Sequence, residues 1–445
     1  MKRNRTRTFV ALFALVFLVN LTGDAPVSAQ VVGGTIHVEV VVRFGVPFSG
    51  AQLVANGVEV ASTGTGTFVV AGPAQMEISG LGYLPVEILA GPSSGRVTVT
   101  MAPRPVYGLH IGGEAMVNEW DELIALASDT AVNAFVIELK DDAGRVISET
   151  LSGVAAETDA VNPMVDFGAK ATEAHEAGIY VIARVVTFAD TAISVSRPDW
   201  AAWDENRNRP YQKGGQGFLD PWDTEARAYA IQLAIDACEM GADEIQFDYV
   251  RFPDASHSGV RFDGPKDDEG RIEAISSFLA EARVELTPRG CVTAAAIFGF
   301  ITNTLTDGGI GQQLEALSEV ADVLSPMVYP SLYTTGWYGY ADPYQNPYGM
   351  VDGALRDADR RLAESPVIVR PWIQDWFYSG RQLSEEIRAA DGHLAGWMLW
   401  NIRSDFSESG IPFPFTQDME KTRPVVHWEF DEPAITPTWL DHLII

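Results

Sequence analysis

The sequence predicts an α/β protein, a (β/α)₈ barrel of the TIM type preceded by a small all-β sandwich. Eight apolar, strand-like segments alternate with helical segments between about residues 106 and 406. The stretch before them contains short alternating strands separated by Gly, Pro and Ser. No Gly-rich phosphate turn follows the first barrel strand, which disfavours an open doubly wound sheet. With 445 residues, 47% of them hydrophobic, the chain can form a large core and a smaller domain.

The predicted barrel strands are spaced so that a helix fits between most neighbours. The fourth carries Asp248 within residues 243–253, and a long insertion over residues 188–222 follows the third strand. The helix after that insertion begins at Asp223, which is a capping signal. The other strands are predicted at residues 107–111, 133–140, 179–187, 292–298, 321–329, 367–373 and 394–400, and helices at 120–128, 163–177 and 271–286.

The first 29 residues have the pattern of a secretory signal peptide. Basic residues at 2, 3, 5 and 7 precede an apolar run over 9–21, and small residues at 27–29 offer a cleavage site. The alternative is an uncleaved N-terminal anchor. We therefore expect a secreted or cell-envelope-associated protein on the extracellular side, without membrane insertion after signal removal.

Residues 30–102 predict the sandwich, with strands at 35–43, 51–57, 67–70, 76–79 and 96–100. Residues 45–54 and 80–85 resemble the carboxypeptidase-regulatory-like sandwich found beside many secreted enzymes. Because no cluster of exposed aromatic residues marks it as sugar-binding, we expect a structural or spacer role. The barrel domain is predicted over residues 103–415. A tail over 416–445, with Trp428 and Trp439, either wraps the barrel or contacts the sandwich.

Charge and cysteine content limit the partners and the chemistry. The net charge of −29 makes nucleic acid and anionic membrane surfaces poor partners. Cys238 and Cys291 lie at the bottom of neighbouring barrel units, where they either form a disulfide or remain two buried thiols. A catalytic cysteine is not expected at that end of a barrel. The sequence predicts no oligomeric state.

Three acidic residues are the catalytic candidates because they follow barrel strands, where barrel enzymes place their chemistry. Asp248 lies on the polar face of its strand, and its structural alternative is to hold Arg184 or Arg251. Glu138 shares a face with inward positions of strand two, and its alternative is an ion pair with Lys140 or Arg184. Asp375 lies on the less favourable alternation of strand seven and needs a bulge to face inward. Two further strand-end candidates are Asp141 and Asp405.

Aromatic residues are frequent in the loops after strands three, six and seven, and such rings suit the apolar faces of sugars. The alternative is that these rings only pack the long loops together. The predicted substrate-binding residues are His110, Arg184, Arg251, Tyr329, Trp372 and Trp400.

No metal site or cofactor is predicted. The seven histidines show no paired ligand spacing, and residues 141–144 and 267–269 are interpreted as turns. A Gly-x-Ser-x-Gly elbow is missing, which disfavours a serine hydrolase.

Residues 106–406 resemble the putative glycoside hydrolase domain family, on the motifs at 133–146, 218–222, 245–253, 326–331 and 397–401. The resemblance implies a TIM barrel and a polysaccharide-directed hydrolase. The sequence departs from the family pattern at Glu138, where Asp is expected. The family is grouped with the amylase-like and related glycosidase barrels, whose order of acids requires one after strand five, and here no acid follows that strand before Asp307.

The working hypothesis is a secreted glycosidase with Asp248 as nucleophile or base and Asp375 or Glu138 as proton donor. The alternative is a non-catalytic carbohydrate-binding barrel of the cell envelope. A second carboxyl within roughly 5–10 Å of Asp248 favours the enzyme.

Overall fold

The computed structural model describes residues 34–91, 93–148, 153–158, 160–393, 395–414 and 423–430. The predicted signal peptide and most of the predicted tail lie outside these residues. Within the described ranges, no helix is long and apolar enough to cross a membrane.

Strands and helices are numbered here in chain order within the described residues. The strands are β1 Thr35–Val41, β2 Gln52–Ala55, β3 Val58–Glu59, β4 Thr67–Ala71, β5 Ala74–Ser79, β6 Val86–Ala90, β7 Gly95–Thr100, β8 Val106–Ile111, β9 Ala134–Lys140, β10 Tyr180–Val186, β11 Trp203–Asp204, β12 Arg209–Pro210, β13 Gln212–Lys213, β14 Gln216–Gly217, β15 Glu244–Asp248, β16 Val260–Arg261, β17 Val292–Phe298, β18 Val323–Val328, β19 Ile368–Val369, β20 Trp372–Gln374, β21 Gly396–Trp400 and β22 Val425–Phe430. The helices are α1 Gly113–Asn118, α2 Trp120–Asp129, α3 Gly153–Glu157, α4 Phe167–Glu176, α5 Thr191–Ser196, α6 Thr224–Glu239, α7 Asp268–Leu286, α8 Leu314–Val320, α9 Pro347–Arg361 and α10 Gly380–Asp391.

The barrel is a closed sheet of parallel strands. Its positions are filled in chain order by β8, β9, β10, β15, β17, β18, the pair β19 and β20, and β21. The circle closes because β21 pairs with β8 in the same parallel sense as every other neighbouring pair. Closure leaves no exposed edge, and it places the carboxyl ends of all strands at one mouth. The predicted (β/α)₈ barrel is confirmed.

Strand seven is not the continuous segment that the sequence predicts over residues 367–373. It is divided into β19 and β20 by Arg370 and Pro371. Proline has no N–H to donate to the ladder, so the pairing is interrupted there. β18 pairs with both parts, which keeps the barrel closed.

Helix starts follow the capping residues of the sequence. Asp223 accepts a hydrogen bond from the Ala226 N–H at 2.7 Å, as predicted, and α6 begins beside it. Asp267 caps α7 in the same way through the Gly270 N–H at 3.0 Å. The interpretation of residues 267–269 as a solvated turn is therefore wrong. Among the described residues after β21, no α-helix follows.

The N-terminal region is rich in strands, as predicted, and it forms two four-stranded sheets. Their orders are β22–β7–β1–β4 and β3–β2–β5–β6. Alternate side chains of both sheets enter one hydrophobic cluster, which explains the period-2 pattern of the sequence. The likeness of this region to the carboxypeptidase-regulatory-like family stays a prediction.

The same hydrophobic cluster includes the first residues of several barrel strands. Val292, Val323 and Ile368 contribute to it from the amino ends of β17, β18 and β19. The Tyr83 hydroxyl also donates to the Pro366 carbonyl at 2.7 Å. The N-terminal region therefore covers the bottom of the barrel and leaves the opposite mouth open.

Part of the C-terminal segment belongs to the N-terminal region. β22 pairs antiparallel with β7, with Trp428 opposite Val97. The sequence left open whether the tail wraps the barrel or contacts the sandwich. Its described residues contact the strand-rich N-terminal region. Trp439 lies outside the described residues.

A disulfide joins Cys238 and Cys291 at the bottom of the barrel. Cys238 lies near the end of α6, and Cys291 immediately precedes β17; their Cα atoms are 6.2 Å apart. The sequence left open a disulfide or two buried thiols, and the structure contains the disulfide.

Candidate active site

A cavity of about 410 Å³ opens at the carboxyl ends of the barrel strands. Its wall combines charged residues with aromatic rings, which is the usual composition of a small-molecule or sugar site. The lining residues are Asp142, Arg184, Asp248, Tyr249, Arg251, Phe298, Gly299, Phe300, Met327, Tyr329, Leu332, Tyr333, Thr334, Trp337, Trp372 and Trp400.

Arg184 of β10 is the centre of the charged part of the site. Its guanidinium is fully buried and donates to three carboxylates. Asp248 and Asp142 both bind Nη2, at 2.7 and 2.8 Å, while Glu138 binds Nη1 at 2.7 Å. The guanidinium carbon also lies 4.8 Å from the centre of the Trp400 ring. A planar cation therefore fixes the mutual positions of three acids.

Asp248 ends β15, at the point where the barrel strand gives way to a loop. Its Oδ2 accepts from both Nε and Nη2 of Arg184, and its Oδ1 accepts from the Tyr249 N–H at 2.7 Å. Tyr249 has a left-handed φ of 48°, which turns the chain sharply at this position. These contacts hold the carboxylate in the cavity wall.

Glu138 of β9 lies beside Asp248 but in a different environment. Its side chain is 16% exposed and approaches Gly112, at the mouth, rather than the cavity wall. Burial raises its pKa from 4.5 to about 7, although the charge of Arg184 acts in the opposite direction. Glu138 therefore carries a proton through much of the range below neutral pH.

Asp142 is the site residue that the sequence reasoning missed. It lines the cavity and its side chain is 42% exposed. Its neighbour Asp141, the earlier candidate, instead builds a turn by accepting from the Ala143 and Arg145 N–H groups. Asp142 lies in the turn after β9, beyond an irregularity in the pairing of that strand between Glu138 and Lys140, so strand alternation does not identify it.

The floor of the site is aromatic. Trp372 donates from Nε1 to Gln246 at 2.7 Å inside the barrel, and its ring lies 5.5 Å from that of Trp400. His110 lies beneath Trp400, with ring centres 4.1 Å apart, and does not line the cavity itself. Its Nδ1 donates to the Asn401 carbonyl at 3.0 Å.

His110 is neutral in this environment. Burial and the charge of Arg184 lower the pKa of its imidazole to about 3. Its Nε2 has no hydrogen-bond partner among the described residues and lies 4.0 Å from Oε1 of Glu138. His110 therefore supports the floor and contacts the acid cluster, but the structure does not place it where substrate would touch it.

Two predicted binding residues form the side wall. Arg251 packs between the rings of Tyr249 and Phe298. Tyr329 is buried and lies edge-on to Trp376, with ring centres 4.8 Å apart.

The aromatic loops divide into two groups. After strand six, Tyr329, Tyr333 and Trp337 line the cavity. In the insertion before α6, by contrast, Trp200 and Phe218 are buried in the main core and do not line it. These two rings of the insertion therefore pack the loop against the core, as the alternative interpretation expected.

Asp375 does not lie with Asp248. It follows β20 on the alternation opposite to Trp372 and Gln374, is 2% exposed and does not line the cavity. Its Oδ2 accepts from the Ser407 N–H at 2.9 Å, and burial raises its pKa. Neither a bulge nor the start of the loop brings it to the cavity wall, so the structure does not bring Asp375 together with Asp248.

The remaining strand-end acids are also outside the cavity wall. Asp307 is bound by Arg271 at 2.7 Å, and Asp405 is exposed. Among the described residues, no group of three His, Cys, Asp or Glu side chains is arranged to hold a metal ion.

The barrel domain matches a known protein family. The model of the "putative glycosyl hydrolase domain" family matches residues 108–406. No curated protein matches the sequence.

Several solved structures are similar to this chain. A hypothetical protein from Ruminiclostridium thermocellum ATCC 27405 is 31% identical, with 42% of this chain and 96% of that chain covered and a TM-score of 0.39. The PgaB (BpsB) glycoside hydrolase domain from Bordetella bronchiseptica is 14% identical over 68% of this chain and 95% of that chain, with a TM-score of 0.50. The catalytic domain of beta-amylase from Paenibacillus polymyxa is 11% identical over 72% of this chain and 100% of that chain, with a TM-score of 0.47. The family match covers more than half of the sequence, and this chain belongs to the putative glycosyl hydrolase domain family.

Proposed function

We propose that this protein is an exported glycoside hydrolase that cleaves a polysaccharide at the mouth of its barrel. The observation that carries the proposal is the acid cluster on Arg184. Asp248 and a largely protonated Glu138 share one guanidinium beside an aromatic cavity. Glycoside hydrolases generally use two carboxyls, of which one donates a proton and the other attacks or activates water.

The roles follow from the two environments. Asp248 faces the cavity and acts as the nucleophile or as the base that activates water. Glu138 donates its proton to the departing glycosidic oxygen from the side of Gly112. The scissile bond then lies above Arg184, with one sugar in the cavity and the leaving group toward the open mouth.

The spacing of the proposed pair suits this chemistry. Asp248 binds Nη2 and Glu138 binds Nη1 of the same guanidinium, each at 2.7 Å, which limits their bonded oxygens to within about 8 Å of each other. Pairs at roughly 5–10 Å are those that glycosidases use.

The cavity wall supplies binding to sugar rings. Tyr333 and Trp337 stand edge to face, with ring centres 5.2 Å apart, opposite the floor formed by Trp372 and Trp400. Aromatic faces contact the apolar faces of sugars at a small cost in side-chain entropy. Arg184 and Tyr329 are placed to bind hydroxyl groups.

A non-catalytic carbohydrate-binding barrel is the second candidate. The observation that favours it is that each acid of the cluster already has an ion-pair partner in Arg184. In that case the cluster would only shape the cavity.

Export is proposed on the signal-like N-terminus, and the disulfide Cys238–Cys291 supports it. Disulfides persist in secreted and envelope proteins and are rare in the reducing cytosol.

The test is reducing-sugar release from a panel of polysaccharides by the wild type, Asp248→Asn and Asp375→Asn. We expect the wild type and Asp375→Asn to release sugar, and Asp248→Asn to lose it. Asp375→Asn is the matched control because it neutralises a buried acid outside the cavity. Equal release by Asp248→Asn removes this residue from the mechanism. Retention of all three proteins on a polysaccharide gel without any release supports the binding barrel.

A further inference from the structure

Arg251 is a rigidly held cation in the cavity wall. Its side chain is about nine-tenths buried, and the residue lines the cavity three positions after Asp248. The guanidinium carbon lies 4.7 Å from the centre of the Tyr249 ring and 4.6 Å from that of Phe298. Two aromatic rings therefore fix its plane.

Much of its hydrogen-bonding capacity is unused. Nη1 donates to Oδ1 of Asp254 at 3.1 Å and, at 3.4 Å, to the Phe252 carbonyl. Among the described residues, Nε and Nη2 have no hydrogen-bond partner. Nε and Nη2 are not fully enclosed by protein, so both can be reached from outside. A buried arginine with accessible, unpaired donors is suited to bind an external acceptor.

Its charge is also incompletely balanced. Asp254, the carboxylate that pairs with Arg251, binds Lys213 at 2.7 Å through its other oxygen. One anion therefore serves two cations. Arg184 presents the opposite case, since three carboxylates surround a single guanidinium. Of the two arginines that line the cavity, Arg251 is therefore the one with fewer carboxylate partners.

We propose that Arg251 binds the carboxylate of an acidic sugar residue, so that the substrate is a uronic-acid-containing polysaccharide. This inference rests on the proposed function for its link to hydrolysis. A guanidinium offers two parallel N–H groups that match a carboxylate, and a carboxylate supplies the charge that Arg251 lacks. Because the net charge of the protein is −29, a polyanion needs such a local cation to bind.

The position of Arg251 fits this role. Asp248 at the end of β15 and Arg251 in the loop that follows border one cavity, so a carboxylate at Arg251 belongs to the sugar in the cavity or to its neighbour. Tyr249 lies between them in sequence, and its ring covers one face of the guanidinium. The wall that recognises the substituent is therefore continuous with the wall that carries the nucleophile.

The experiment compares acidic polysaccharides with their neutral forms. Binding of the Asp248→Asn protein, which retains Arg251, is measured for polygalacturonate, alginate and hyaluronan. Each is paired with its carboxyl-reduced derivative, in which the acid is an alcohol. Carrageenan, which carries sulfate but no carboxylate, is a further ligand.

We expect at least one acidic member to bind about 10- to 100-fold more tightly than its reduced form, the range for a charge-assisted hydrogen-bonded pair. Adding Arg251→Gln should remove this preference without weakening binding of the reduced form. Arg251→Lys, which keeps the charge but not the fork, should keep part of it. Arg261→Gln is the control, because it removes a positive charge from an exposed residue outside the cavity.

A folding defect is separated from a recognition defect by a second variant. Lys213→Gln changes a side chain that is 41% exposed and leaves Asp254 to neutralise Arg251 alone. It should weaken binding of the acidic member by about 2- to 5-fold and leave the melting temperature unchanged.

Three results overturn the inference. They are equal binding of every acidic member and its reduced form, equal loss of both by Arg251→Gln in a folded protein, and an Arg251-dependent preference for carrageenan alone. If the protein hydrolyses polysaccharides without preferring carboxylates, the proposed function stands and this inference falls. If it prefers carboxylates through Arg251 but hydrolyses nothing, the binding inference stands and the proposed function falls.

Discussion

Replacing Glu138 by Gln removes the proton that the proposed mechanism requires while keeping the shape of the side chain. In the wild type, burial raises the pKa of this carboxyl from 4.5 to about 7. A proton donor must be protonated in the free enzyme, so kcat/KM should fall as the pH rises through about 7. Gln cannot donate a proton to a leaving group, and the variant should lose this alkaline limb together with about 10²- to 10⁴-fold of its rate at pH 6.

The same pKa makes a separate prediction about folding. Between pH 4.5 and about 7 the folded protein keeps a proton on Glu138 that the unfolded chain has already released. The contribution to stability is therefore fully present below pH 4.5 and is lost as the pH rises through about 7. The difference between these pKa values corresponds to about 3 kcal/mol.

The assay measures the free energy of unfolding by guanidinium at pH 5 and pH 9 for the wild type, Glu138→Gln and Glu122→Gln. Titrating groups outside the Arg184 cluster contribute equally to the three proteins, so the difference between pH values isolates the change within that cluster. We expect the loss between pH 5 and 9 to be about 3 kcal/mol smaller in Glu138→Gln than in the wild type. Glu122 is an exposed acid on α2, and its variant should behave like the wild type.

Two results would refute the assignment. An alkaline limb that persists in Glu138→Gln means that another group titrates in the rate. An equal loss of stability in all three proteins means that Glu138 is already ionised at pH 5. Aryl glycosides with a good leaving group provide an internal check, because they need less proton donation and should lose less rate.

Two further predictions concern the disulfide and the cavity wall. Replacing Cys238 and Cys291 by Ser opens a loop of 53 residues and should lower the free energy of unfolding by about 4 kcal/mol, measured in guanidinium without reductant; an unchanged midpoint would contradict this. Trp337→Ala should raise KM about 3- to 10-fold with little change in kcat, because it removes a ring that lines the cavity against Tyr333. Phe377→Ala, at an 84% exposed ring outside the cavity, is the control, and an equal effect of both variants would exclude sugar stacking at Trp337.

Much of the site was within reach of the sequence because barrel strands obey simple rules. Period-2 alternation identified Asp248 and Glu138, and the strand ends located them at the mouth. The same rule put Asp375 on the face of its strand that points away from the barrel interior, and in the structure Asp375 does not line the cavity. The contribution of Asp142 was missed because it lies in the turn after β9, beyond an irregularity in the strand pairing, where alternation no longer applies.

Sequence alone also predicted the barrel and the strand-rich region before it, since hydrophobic periodicity is a local property of the chain. It did not decide which residues meet across the barrel. The grouping of three acids on Arg184 brings together residues up to 110 positions apart, and the incomplete neutralisation of Arg251 depends on how Asp254 is shared with Lys213. Pairings of this kind, and the pKa of Glu138 that follows from them, depend on burial and distance, which arise only when the chain has closed the barrel.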